Sequence, residues 1–225
     1  VAASARSACS SFARAMGAGQ TRVLTSTFLE EDAASSGRPL AAVLLNWTLP
    51  SLAARVWQRA TLRICADGGA NRLYDELRGP SHASDSVPMP HPHAIIGDLD
   101  SIRPEVAAYY RDAGVAITDL SHDQDSTDLQ KCVEYAAAHG SRPQHIVAFG
   151  AHGGRLDHIL SNLGCLYRYR HLNLVLVGEG NITRLVPHDT EMRMGGLLST
   201  SNILEAEEVV VESDSDLIWT VQCKG

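Results

Sequence analysis

The chain has 225 residues, 44% hydrophobic and 20% charged, an ordinary globular composition. That length buries about two-thirds to three-quarters of the unfolded surface. Lys and Arg number 19 against 26 Asp and Glu, and the net charge of −7 argues against a dedicated DNA or RNA binder, whose phosphate contacts need a basic face. No run approaches about 18 consecutive apolar residues, which excludes a membrane-spanning helix.

Residues 1–38 read as a tail. Val1–Leu29 carries no acidic residue, three arginines (Arg6, Arg14, Arg22) and much Ala and Ser, the composition of an organelle transit peptide or of an unstructured extension. From Leu40 onwards short apolar runs alternate with helical periods. Strands are expected at Leu40–Asn46, Leu62–Asp67, His93–Asp98, Val115–Leu120, His145–Gly150 and Asn173–Gly178. Helices are expected at Leu52–Ala60, from Asn71, at Pro104–Ala113 with proline in the first turn, at Thr127–Ala138 and at Leu156–Tyr169. This order predicts an α/β fold: a parallel sheet with helices on both faces, a Rossmann-like three-layer arrangement over residues 39–180. In such sheets ligands bind beyond the carboxyl ends of the strands.

After Gly180 the pattern changes to period-2 alternation at Glu208–Glu212 and Leu217–Val221, which predicts a small antiparallel β unit over residues 181–225. About 45 residues is thin for a free-standing β domain, so this unit is expected to lean on the first domain or on a second subunit. Five cysteines (Cys9, Cys65, Cys132, Cys165, Cys223) show neither CxxC nor zinc spacing and read as small buried hydrophobes in a reducing compartment.

Ten of the 15 aspartates lie between Asp67 and Asp128. Asp is a poorer helix former than Glu, so this bias points to loops and metal chemistry rather than to a charged helix face. Four polar clusters carry it, each where a strand ends. In Asp67-Gly68-Gly69-Ala70-Asn71-Arg72 the glycines admit a ligand to the backbone and a helix N-terminus follows. In Gly97-Asp98-Leu99-Asp100-Ser101 two carboxylates would point to opposite faces if extended, but in a turn they can converge on one hard cation. In Asp123-Gln124-Asp125-Ser126-Thr127-Asp128, Ser126 or Thr127 caps a helix whose Asp128 and Lys131 share a face. The fourth, Gly150–His158, is a glycine-rich turn into a helix bearing Arg155, Asp157 and His158.

Each cluster alone has a plainer role as a cap or a turn, and neither GxGxxG nor GxxxxGK[ST] occurs. Four at successive strand ends build one acidic, glycine-lined cleft containing Lys131 and Arg155. That combination suits Mg²⁺-bound polyphosphate, with carboxylates on the metal and cations on the transferring oxygens.

The segments ADGGANRLYD (Ala66–Asp75), GDLDSIRPE (Gly97–Glu105), DQDSTDLQKC (Asp123–Cys132) and GGRLDH (Gly153–His158) closely resemble the thiamin pyrophosphokinase family. GGLLSTSN (Gly195–Asn202) and VESDSDLIWT (Val211–Thr220) resemble that family's C-terminal part, and the wording looks plant-like. The resemblance implies Mg²⁺-dependent transfer of pyrophosphate from ATP to the hydroxyl of thiamin, releasing AMP. It also implies an α/β domain followed by an antiparallel β-sandwich domain, a cytoplasmic homodimer and sites at the subunit interface. By position, Asp67, Asp98, Asp100 and Asp128 would bind the metal, with Lys131, Arg155 and Asp157 in the polyphosphate network. Gly68, Gly69, Asn71, Arg72, Asp125 and Thr127 would bind the nucleotide, and Gln124 with Ser199, Thr200, Ser201 and Asn202 would lie near thiamin. Asp100 or Asp128 is expected to take the hydroxyl proton.

One departure stands out. The family usually carries a longer stretch before the STSN motif, including a strand ending in Trp, whereas here Leu185-Val186-Pro187 passes almost directly to Thr190-Glu191-Met192. The C-terminal β domain is therefore expected to be shortened on its thiamin side. Two rival classes are a metal-dependent phosphoesterase built on GDLDSI and a nucleotide-binding or regulatory chain without transfer.

Overall fold

The computed structural model describes residues 22–24, 39–77, 89–140, 143–187, 190–192 and 215–222. The strands are β1 (Arg22–Leu24), β2 (Leu40–Leu44), β3 (Leu62–Ala66), β4 (Ala94–Gly97), β5 (Ala116–Asp119), β6 (His145–Phe149), β7 (Leu174–Gly178), β8 (Asn181–Val186), β9 (Thr190–Met192) and β10 (Leu217–Gln222). The helices are α1 (Leu52–Arg59), α2 (Gly69–Arg72, running into a π-helical turn at Leu73–Leu77), α3 (Pro104–Asp112), α4 (Asp128–Ala138) and α5 (Leu156–Arg168).

Eight strands form one sheet in the order β10-β8-β7-β6-β2-β3-β4-β5. The six strands from β7 to β5 are parallel, and their central members are continuous apolar runs because both faces are covered. Leu44 of β2 and Phe149 of β6 are fully buried. Helices α1 to α3 cover one face through Ala53, Val56, Trp57, Leu73, Val106 and Tyr110. Helices α4 and α5 cover the other through Leu129, Cys132, Val133, Ala136, Cys165 and Leu166. The spacing of these residues at three and four is the helical face that burial requires.

The mixed, mostly parallel sheet with flanking helices agrees with the expected architecture. The C-terminal part agrees in part: the antiparallel strand expected at Leu217–Val221 is β10, but it joins the main sheet. β8, absent from the expected strands, turns back on β7 through Glu179 (φ +46°) and Gly180 (φ +71°). Two consecutive positive φ values make the tight hairpin that suits strand twist. β10 then pairs antiparallel with β8, so both extend the main sheet instead of starting another. Inside the stretch expected to be a tail, β1 pairs in parallel with β9. The expected strand Glu208–Glu212 and the motif residues Ser199, Thr200, Ser201 and Asn202 lie outside the described residues.

Strand order reverses between β2 and β6: β3, β4 and β5 lie to one side, β6 and β7 to the other. At such a reversal the connections leave the strand ends in opposite directions and open a crevice at the carboxyl edge of the sheet.

Candidate active site

A cleft of about 450 Å³ occupies that crevice. The ends of β2, β3, β4 and β6 and the N-termini of α4 and α5 line it.

Asp67 follows β3 with φ +40°, a backbone conformation that costs a non-glycine residue energy and needs surrounding support. The support is visible. Its carboxylate, 1% exposed, accepts the main-chain N–H groups of Ser101 at 2.9 Å and Ile102 at 3.0 Å, locking β3 to the loop after β4. Asp98 opens that loop, and its Oδ1 is buried with no hydrogen-bond partner among the described residues. Asp128 is the first residue of α4. Ahead of it Thr127 forms a capping box, its hydroxyl accepting from the Gln130 N–H while its own N–H donates to Gln130 Oε1 at 3.0 Å.

One carboxylate oxygen from each of Asp67, Asp98 and Asp128 lies within 4.8 Å of the others. Three like charges so close disfavour one another. Burial chiefly raises Asp128 to about 6, with repulsion from Asp67 and Asp98 adding and Lys131 opposing. Asp67 is also raised by burial, against the pull of its two backbone hydrogen bonds. Lys131, 5% exposed, stands one helical turn along with Nζ 3.9 Å from Asp128 Oδ1.

The other expected residues divide. Gly68, Gln124, Thr127 and Arg155 line the cleft with the triad and Lys131. Gln124 holds its own loop by donating to the Ser121 carbonyl at 2.7 Å. Arg155 and Asp157 form an exposed ion pair at the mouth of α5, which raises the one and lowers the other. Asp100 is exposed, accepts from the Ser101 hydroxyl at 2.8 Å and stands outside the triad. Asn71 and Arg72 engage protein partners: Asn71 clamps Ser101 and Arg103, and Arg72 reaches Asn46 at 3.3 Å and Glu76. Gly69 is packed against the Leu44 carbonyl and the Asp125 main-chain N–H donates to Asp123 Oδ1; neither residue lines the cleft.

Reading by motif missed Asn46, Trp47, Ser161 and Asn162, all of which line the cleft. For Asn46 and Trp47 the usable signal was position alone, directly after the first strand of a βαβ chain.

Three clustered oxygens with an unpartnered buried lone pair, beside a buried ammonium, form a site for a hard cation and phosphate oxygens. The comparisons point the same way. A family model described as thiamin pyrophosphokinase, catalytic domain, matches residues 53–177. Thiamine pyrophosphokinase 1 of Oryza sativa subsp. japonica is 39% identical over 260 residues, covering 91% of this chain and 98% of the relative. Thiamine pyrophosphokinase 1 of Arabidopsis thaliana is 38% identical over 257 residues, covering 93% and 96%. Both alignments are longer than this 225-residue chain, so each relative has internal stretches with no counterpart here. The crystal structure of yeast thiamin pyrophosphokinase shares the fold with a TM-score of 0.73 at 21% identity, covering 93% of this chain and 94% of that one.

Proposed function

The chain belongs to the thiamin pyrophosphokinase family, and we propose that its cleft transfers the pyrophosphoryl group of ATP to the hydroxyl of thiamin, giving thiamin diphosphate and AMP. The observation that carries this is the convergence of Asp67, Asp98 and Asp128 beside Lys131 at the sheet reversal.

The triad fits Mg²⁺, since its donors are hard oxygens and Asp98 Oδ1 is buried without a partner among the described residues. Asp67, Asp98 and Asp128 would hold the ion, with Asp100 at the rim. When bound, Mg²⁺ supplies charge neutralisation for the polyphosphate. The chain's own groups do the rest. Lys131 and Arg155, which line the cleft, would neutralise phosphate oxygens, with Asp157 orienting Arg155. Gly68 lines the cleft at the start of α2 and, having no side chain, leaves room for Asn46 and Ser101 beside the nucleotide's place. Asp100, exposed beside the triad, or Asp128 would orient or accept the thiamin hydroxyl proton.

The same proposal assigns residues 39–180 to nucleotide and metal and residues 181–225 to a shortened thiamin-side unit that includes Ser199–Asn202. It also takes the chain to be a cytoplasmic homodimer. Leu156, Leu160 and Tyr167, exposed at helical spacing on α5, support a second copy against that helix. No helix among the described residues is long and apolar enough to cross a membrane.

The test is a product assay with Mg·ATP, with and without thiamin, resolving AMP, ADP, phosphate and thiamin diphosphate. AMP and thiamin diphosphate in equal amounts, both thiamin-dependent, are expected. Phosphate released without thiamin would replace transfer by phosphoesterase chemistry.

A further inference from the structure

Trp47 stands in the cleft without a motif to explain it. The chain's other fully described tryptophan of this region, Trp57, is completely buried and donates its indole N–H to the Pro90 carbonyl at 2.9 Å, an ordinary core residue. Trp47 is only half-buried and borders the same polar cavity as the aspartate triad. Its orientation is held from two sides. The indole N–H donates to Oε1 of Glu179, in the β7–β8 hairpin, at 2.8 Å. The Gly153-Gly154 turn packs on the ring, as an added Cβ shows: at Gly153 it would meet Nε1 at 2.2 Å, and at Gly154 it would meet Cζ3 at 2.8 Å. The two glycines therefore bring the turn against the ring at both its pyrrole and its benzo end. Both glycines have positive φ, +98° and +71°, so the turn has the two residues that allow this approach.

We propose that the cleft side of Trp47 is a platform for the cationic ring of the acceptor, and that Glu179 is its positioning residue. The inference rests on the reading of the cleft as a thiamin pyrophosphokinase site. The chemistry favours a cation over a neutral purine for two reasons. A carboxylate accepting the indole N–H increases electron density in the ring, which strengthens attraction for a cation above its face. The aspartate triad adds negative potential in the same cavity. A neutral adenine gains stacking but neither of these.

The experiment is tryptophan fluorescence of the full chain, titrated separately with thiamin and with Mg·ATP, alongside steady-state kinetics. Thiamin is expected to quench the wild type, and Trp47→Phe to abolish that quenching. Replacing Trp47 by Ala should raise the thiamin KM by between about 2-fold and 30-fold, the span of a cation–π contact, leaving the Mg·ATP KM unchanged. Glu179→Gln keeps the hydrogen-bond acceptor and removes the charge, so it should raise the thiamin KM more than it lowers kcat. A merely structural Glu179 would shift both substrates together. Undiminished quenching in Trp47→Phe, equal effects on both substrates, or quenching by Mg·ATP alone would each overturn the inference. Thiamin quenching through Trp47 without any thiamin diphosphate would uphold it while removing the transfer reaction.

Discussion

Gly97, the last residue of β4, stands so close to Asp67 that an added Cβ would lie 2.6 Å from the Asp67 Cβ and 3.0 Å from Asp128 Oδ1. The carboxylates meet because this position has no side chain. Gly97→Ala is expected to cost about 1–3 kcal/mol through overpacking. It should also weaken Mg²⁺ binding, since Asp67 must move. Calorimetric melting with and without Mg²⁺ checks both effects; an unchanged Mg²⁺ response would mean the triad does not hold the ion.

Asp98→Asn should separate stability from activity. Removing one of three crowded charges relieves repulsion, so the metal-free chain should melt higher than wild type. The same change should lower thiamin diphosphate formation by about 100-fold or more, the scale for losing an electrostatic contact to a reacting centre. A lower melting temperature together with full activity would refute both halves.

The pH dependence follows from Asp128. Its carboxyl is raised from 3.8 to about 6 in the folded chain, so the folded state holds the proton more tightly than the unfolded one. The corresponding stability is fully present below 3.8 and is lost as pH rises through about 6. Metal-free melting temperatures should therefore fall across that window, in the direction that burial of Asp67 reinforces. Mg²⁺ affinity should run the opposite way, falling as pH drops through about 6, because protons compete for the same oxygens. Thermal melts in chelator and Mg²⁺ titrations at stepped pH read the two slopes.

Thr127→Ala removes the hydroxyl that caps α4 immediately before Asp128. It should destabilise the chain by about 1 kcal/mol. Fraying of the first turn loosens Asp128 as well, so kcat should fall; Thr127→Ser, which keeps the oxygen, should restore both. Loss of stability with unaltered kcat would show that Asp128 is held by its neighbours rather than by the cap.

The parallel strands and their helices were legible because each is a local pattern. A strand buried on both faces is a short apolar run, as in Leu40–Leu44, and a helix against a sheet repeats at three and four, as in Leu129, Cys132, Val133 and Ala136. β8 was not legible. Thr183 and Arg184, 0% and 2% exposed, interrupt any apolar run, and only pairing with β7 and β10 makes the segment a strand.

By itself the sequence determined which residues carry charge at which strand ends: Asp67 after one apolar run, Asp98 after the next, and Asp128 behind a helix cap. Those are interactions spanning a few residues, set by local backbone preferences; that the cap is Thr127, in a capping box with Gln130, came from the structure. Tertiary structure decided which of these groups meet. It placed Asp98 in the triad and left Asp100 at the rim, buried Lys131 beside Asp128, and set Trp47 against Glu179, 132 positions apart in the chain. Such convergence depends on strand order, and strand order is settled by burying both faces of the sheet at once, which no short window of residues records.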